Sequence, residues 1–176
     1  MTQLELARKG IVSPAMKAVA EKEGLDPEFV LQGVAEGLIV IPANINHHGV
    51  EPCGIGKGLR TKVNANFGTS SDFADVNIEL EKLRAAVDAQ TDTVMDLSTG
   101  GDITAIRRAI LAATSLPLGT VPIYQAGIEA INRWSSIVAM PVDHLFAAIK
   151  EQAEDGVDFM TVHCGITLKE IGRAHV

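Results

Sequence analysis

Four side chains able to contact a ligand stand at the ends of four strand-like runs: Asn66 in KVNANFG, Met95 in TVMDLSTGG, Tyr124 in GTVPIYQA and His163 in VDFMTVHCG. The first three are separated by equal steps of 29, and His163 follows after a step of 39. Asn66 offers a donor and an acceptor to a heterocycle edge or a hydroxyl. His163 can donate, accept or bind a metal. Tyr124 presents an apolar ring with a polar tip, and Met95 an apolar wall. Each also has an ordinary structural role: turn chemistry for Asn66, core filling for Met95, a buried ring for Tyr124 and a satisfied core histidine for His163. Their common position favours function, because the strand ends of a parallel βα barrel converge on one cavity.

The elements that must position these residues alternate. From Thr61 the strand TKVNANF precedes a loop with Ser70 and Ser71 and then a helix with Ile78, Leu80, Leu83, Ala86 and Val87 at helical spacing. The second unit runs DTVMDLS, a GGD turn with Asp102 as N-cap, then ITAIRRAILAAT. The third strand, PLGTVPI, leads into the helix QAGIEAINRW. After an insertion, SSIVAM, a helix from Pro141 to Glu154 ends at Gly156 in the position of a C-cap glycine. Four strand-helix units are about half of an eight-stranded barrel. The first forty residues differ, with short helices expected over Leu4 to Arg8, Ser13 to Glu23 and Pro27 to Glu36. Ser13-Pro14 and Asp26-Pro27 supply the caps and first-turn prolines. The expected organisation is a helical segment over 1–40 and the N-terminal half of a (β/α)8 barrel over 41–170.

Composition limits the function classes. With 15 basic against 22 acidic residues, a net charge of -7 and no basic stripe, nucleic acid is excluded as the expected partner. No apolar run approaches the roughly 18 residues that span a bilayer, and Met1 to Glu23 is too charged for a signal peptide, so a cytoplasmic enzyme is expected. Cys53 and Cys164 encode neither a disulfide framework nor a zinc knuckle. His47 and His48 in NINHHG are expected to be solvated loop residues. The GIGKG segment lacks a Lys-Ser/Thr ending and a following helix, which rules out a triphosphate loop. Arg107 and Arg108 are expected on a solvated helix face, and Asp102 as a cap in preference to an anion site.

The strings IPANINH, KVNANFGTS, DTVMDLSTGGD, PLGTVPIYQA and QAEDGVDFMTVHCGI resemble, in order, blocks of the phosphomethylpyrimidine synthase family, the radical enzymes of thiamine pyrimidine biosynthesis. The same blocks are similar to those of the 5-hydroxybenzimidazole synthases, and both groups stay open at this point. The resemblance runs from ARKGIVSPAMKAVA to about Thr167. It implies a (β/α)8 barrel acting on 5-aminoimidazole ribotide, with S-adenosylmethionine, a [4Fe-4S] cluster, a zinc ion and a homodimeric full-length enzyme in the cytoplasm. It also implies that Asn66, Met95, Tyr124 and His163 are substrate contacts.

The family's phosphate loops, metal-ligand histidines and Cys-x2-Cys-x4-Cys motif have no counterpart in this sequence, so no metal ligand is assigned here. The chain is therefore expected to be the N-terminal part of an enzyme and inactive alone. A noncatalytic ribotide-binding or interaction module is the alternative from another class. After Thr167 the resemblance stops, and IGRAHV, Ile171 to Val176, matches the translation of the sequencing adapter ATCGGAAGAGCACACGTC. The tail 171–176 is expected to be non-native.

Overall fold

The computed structural model of this protein describes residues 1–163; the expectations for Cys164 and for the tail 171–176 lie outside the described residues. Three helices open the chain: α1 (Gln3–Arg8), α2 (Pro14–Glu23) and α3 (Pro27–Ala35). Their starts follow from local chemistry. Ser13 accepts from the Met16 N–H at 3.1 Å and Asp26 from the Glu28 N–H at 2.8 Å, each followed by a first-turn proline whose missing N–H costs nothing there. The helices bury Met16, Val19, Val30 and Val34 against Ile39 and Ile41. Ile39 belongs to β1 (Ile39–Val40), which pairs antiparallel with β2 (Ile55–Gly56).

The remainder alternates strand and helix. In order come β3 (Asn64–Phe67), α4 (Val76–Asp88), β4 (Thr93–Asp96), α5 (Ile103–Ala113), β5 (Leu118–Thr120), α6 (Pro122–Trp134), α7 (Val142–Asp155) and β6 (Phe159–Met160). The last four strands form one parallel sheet in the order β3-β4-β5-β6. Asp102 caps α5 by accepting from the Ala105 N–H at 2.9 Å, and Gly156 ends α7 at φ 115°, a left-handed conformation that glycine adopts without strain.

Strand alternation gives the sheet two unlike faces. Ala65, Phe67, Val94 and Leu118 lie on one face and pack against Leu83 and Ala86 of α4 and Ile106, Ile110 and Leu111 of α5. Register partners in a parallel pair share a face, so Asn64 with Thr93, and Asn66 with Met95 and Gly119, occupy the other. Among the described residues no helix packs on that second face.

Three placements differ from the sequence reading. Tyr124 is not at a strand end: β5 stops at Thr120, and Pro122 opens α6, which puts Tyr124 in the first helical turn. Proline's fixed φ suits that start. The sheet register also shows that the equal steps of 29 do not continue in space, because the partner of Met95 on β5 is Gly119.

His47 is buried, not solvated. Its Nδ1 lies 2.7 Å from Asp158 Oδ2 and its Nε2 lies 3.0 Å from the Thr114 carbonyl, while His48 is exposed as expected. Arg107 is likewise fully buried, held by Gln125 Oε1 at 2.7 Å, Glu151 Oε1 at 3.0 Å and the Asp155 carboxylate. Its neighbour Arg108 keeps an exposed side chain while reaching the other oxygen of Asp155.

Candidate functional site

The segment between β1 and β3 closes one end of the parallel sheet. Asn44 donates its side-chain amide to the Ala153 and Val157 carbonyls at 2.8 Å, and its N–H to Asp158 at 2.7 Å, just before β6. Asp158 also accepts from the Leu118 N–H at 2.8 Å, so one carboxylate ties β5, β6 and the His47 loop together. On the same end, Arg60 pairs with Asp92, immediately before β4, and Lys62 pairs with the half-buried Glu23 at 2.8 Å. A cleft here is lined by Lys22, Glu23, Cys53, Arg60, Lys62 and Asp92. Its charges are matched inside the cleft, and it lies at the strands' N-terminal ends, opposite to where parallel α/β sheets place their ligands. Burial pushes the Asp92 carboxyl up, but hydrogen bonds from Arg60 and the Val63 N–H outweigh it and hold Asp92 below the usual range.

Chemistry is expected at the opposite end, beyond the strands' C-termini. Two loops there are stitched together. The Thr69 N–H donates to Ser98 Oγ at 3.1 Å, the Thr69 hydroxyl donates to the Gly100 carbonyl at 2.6 Å, and the Thr99 N–H donates to the Thr69 carbonyl at 2.9 Å. A Cβ at Gly100 would lie 2.0 Å from the Ser70 carbonyl oxygen, so only glycine permits this approach. Asp96, at the last position of β4, accepts from the Ser98 N–H and hydroxyl. Burial pushes the Asp96 carboxyl up against the pull of those bonds.

The four residues selected from sequence fall into two pairs. Asn66 and Met95 are direct register partners on the uncovered sheet face, with Asn66 exposed and Met95 half-buried. Tyr124 and His163 meet beyond β5 and β6, their ring centroids 6.4 Å apart and their planes tilted by 31°. Both line an apolar groove with Thr99, Ile123, Ile128 and Ile131. Thr99 lies three residues past β4, so the groove adjoins the strand that carries Met95.

Sequence reasoning missed other members of the same face. Asn64 donates from Nδ2 to Asn66 Oδ1 at 2.7 Å and accepts from the Thr93 hydroxyl at 2.8 Å. The Phe159 ring covers Gly119, where an added Cβ would come within 2.2 Å of a ring carbon. Two-residue alternation from Asn66 back to Asn64 and from His163 back to Phe159 was the available signal.

Among the described residues no group of three or more His, Cys, Asp or Glu side chains gathers as a metal site. Burial pushes the half-buried Cys53 thiol up, away from the thiolate that iron requires. The described residues therefore do not by themselves fit an iron-sulfur cluster or a zinc ion.

Comparison with known proteins gives the geometry a setting. The sequence pattern of the Radical SAM ThiC family matches residues 2–175, past Thr167 where the block resemblance stops. The chain is 58% identical over 173 residues to the phosphomethylpyrimidine synthase of Caldanaerobacter subterraneus subsp. tengcongensis. It is 60% identical over 171 residues to that of Dehalococcoides mccartyi, and 56% identical over 173 residues to that of Moorella thermoacetica. These alignments cover 97% or 98% of this chain and 40% of each relative, so the chain spans less than half the length of the relatives it matches. On the strength of a pattern matched along nearly all its length, the chain belongs to the Radical SAM ThiC family.

Proposed function

We propose that this chain is the N-terminal part of a phosphomethylpyrimidine synthase, a lyase of thiamine biosynthesis, and that Asn66, Met95, Tyr124 and His163 contact 5-aminoimidazole ribotide. The observation that carries the reading is the register pairing of Asn66 with Met95 on a sheet face that no described helix covers, in a chain of this family. In this reading the four-stranded parallel sheet is the first half of a (β/α)8 barrel over 41–170, and the uncovered face is turned to the barrel interior. Residues 1–40 are its entry segment.

Roles follow from side-chain chemistry. Asn66 and His163 orient polar groups of the ribotide, Tyr124 supplies a ring and a hydroxyl, and Met95 and Phe159 form an apolar floor. Such a floor excludes water and holds the sugar in one pose, which is what a reaction through reactive intermediates requires of its protein. S-adenosylmethionine, the [4Fe-4S] cluster and zinc belong, in this reading, to ligands elsewhere in the full-length enzyme, a cytoplasmic homodimer. No helix among the described residues is long and apolar enough to cross a membrane.

The test is product identity. Full-length reduced protein carrying this segment is incubated with aminoimidazole ribotide and S-adenosylmethionine, and the products are identified by mass. The phosphorylated hydroxymethylpyrimidine is expected. Hydroxybenzimidazole in its place overturns the thiamine assignment, and ribotide binding with no turnover points to a noncatalytic module.

A further inference from the structure

We propose that Asn64 is a positioning residue of this site, acting through Asn66 and turning the Asn66 carboxamide so that its NH2 group faces the ligand; the inference rests on the ribotide-site reading. Three side chains form a directed chain across two strands. Thr93 Oγ1 donates to Asn64 Oδ1 at 2.8 Å, and Asn64 Nδ2 donates to Asn66 Oδ1 at 2.7 Å. All three sit on the uncovered sheet face, Thr93 as the register partner of Asn64 and Met95 as that of Asn66.

Burial sets the direction of this chain. Thr93 is 2% exposed, so its single hydroxyl proton must find an acceptor in the protein. Among the described residues that acceptor is Asn64 Oδ1. An Asn64 turned end for end would offer Thr93 an NH2 group and leave the hydroxyl proton buried without a partner. The Thr93 hydroxyl therefore fixes which end of Asn64 points along the strand, and an NH2 end reaches Asn66. Asn66 Oδ1 is the natural partner of that NH2, which leaves the Asn66 NH2 group on the outward side. Asn66 is exposed, and among the described residues its Nδ2 makes no hydrogen bond. The ligand atom that meets this NH2 group is then an acceptor: a hydroxyl or phosphate oxygen, or an unprotonated ring nitrogen.

The experiment measures ribotide affinity by titration calorimetry on the full-length enzyme, without S-adenosylmethionine, so binding is read apart from turnover. Asn66→Ala is expected to weaken binding about tenfold, the size of one good hydrogen bond. Asn64→Ala should weaken it by roughly threefold or more through lost orientation. In the Asn64→Ala/Asn66→Ala double variant the loss should match Asn66→Ala alone within about twofold, because Asn64 has nothing left to orient. Thr93→Val, which keeps the shape, should reproduce the Asn64→Ala loss, and Thr93→Ser should restore binding. Thermal melts of each variant separate misfolding from misorientation. Losses that add in the double variant, or an Asn64→Ala that binds normally beside a weakened Asn66→Ala, overturn the positioning role and leave the site standing. Normal binding by Asn66→Ala removes the site assignment itself and the inference with it.

Discussion

At the scale of single residues, the side chains that matter most for stability are those whose partners lie far away in sequence. His47 and Asp158 are separated by 111 positions, yet their side chains are 1% and 0% exposed and 2.7 Å apart. Removing the imidazole leaves the buried Asp158 carboxyl, among the described residues, with only the Leu118 and Asn44 N–H groups, a loss of about 1–3 kcal/mol for a buried acceptor stripped of one partner. His47→Ala should therefore lower the unfolding free energy of the full-length protein, read from urea titration, by that amount, while His48→Ala, at an exposed neighbour, should change it by less than about 0.5 kcal/mol. Equal effects from the two substitutions would contradict the buried pair. This distance also explains why sequence reasoning placed His47 in solvent. Adjacent histidines in a Gly-rich loop carry no local sign of burial, and neither does Arg107, whose Asp155 partner is 48 positions on.

At the scale of elements, local chemistry was read well and registry was not. Ser13, Asp26, Asp102 and Gly156 each act within four residues, so their caps were legible. Tyr124 was misplaced because TVPI continues an apolar run across Pro122, and a short buried strand looks the same as the start of a buried helix. Asn66 and Met95 emerged from the strand pattern, and alternation extends to Asn64 and Phe159, but the cross-strand neighbours, Thr93 beside Asn64 and Phe159 beside Gly119, needed the observed pairing. The end of β4 makes a pH prediction. Asp96 has its folded carboxyl raised by burial, above an unfolded value of about 3.9. The folded state then holds a proton that the unfolded chain has released. That contribution is present below about pH 3.9 and is lost as pH rises through the raised value. Asp96→Asn keeps the oxygen that accepts from Ser98 and removes the ionisation. Its urea midpoint should fall less than the parent's between about pH 4 and pH 7. Parallel curves would show that Asp96 titrates alike in both states.

At the scale of the whole molecule, the described fold is a parallel sheet finished on one side only. Parallel sheets normally have both faces covered, because their crossover helices pack above and below or a barrel closes around them. Here α4 and α5 cover one face, the other carries Asn64, Asn66 and Met95, and β3 and β6 are the outer strands. Among the described residues, large apolar side chains also stand in solvent along α6 and after it, with Ile131 50%, Ile137 49% and Val138 95% exposed. Open strand edges beside apolar surface favour intermolecular pairing. The net charge of -7 opposes association, but at about 0.1 M salt it is screened beyond roughly 10 Å, while edge pairing acts at contact. The 176-residue chain expressed by itself should therefore self-associate and lack a cooperative melt. Given iron and sulfide anaerobically, it should produce no 5′-deoxyadenosine from S-adenosylmethionine. Gel filtration with light scattering, thermal denaturation and chromatographic detection of that nucleoside check the three parts. A soluble monomer that melts cooperatively and cleaves S-adenosylmethionine would mean that this sheet is complete as it stands, and that the uncovered face is a surface and not the wall of a barrel.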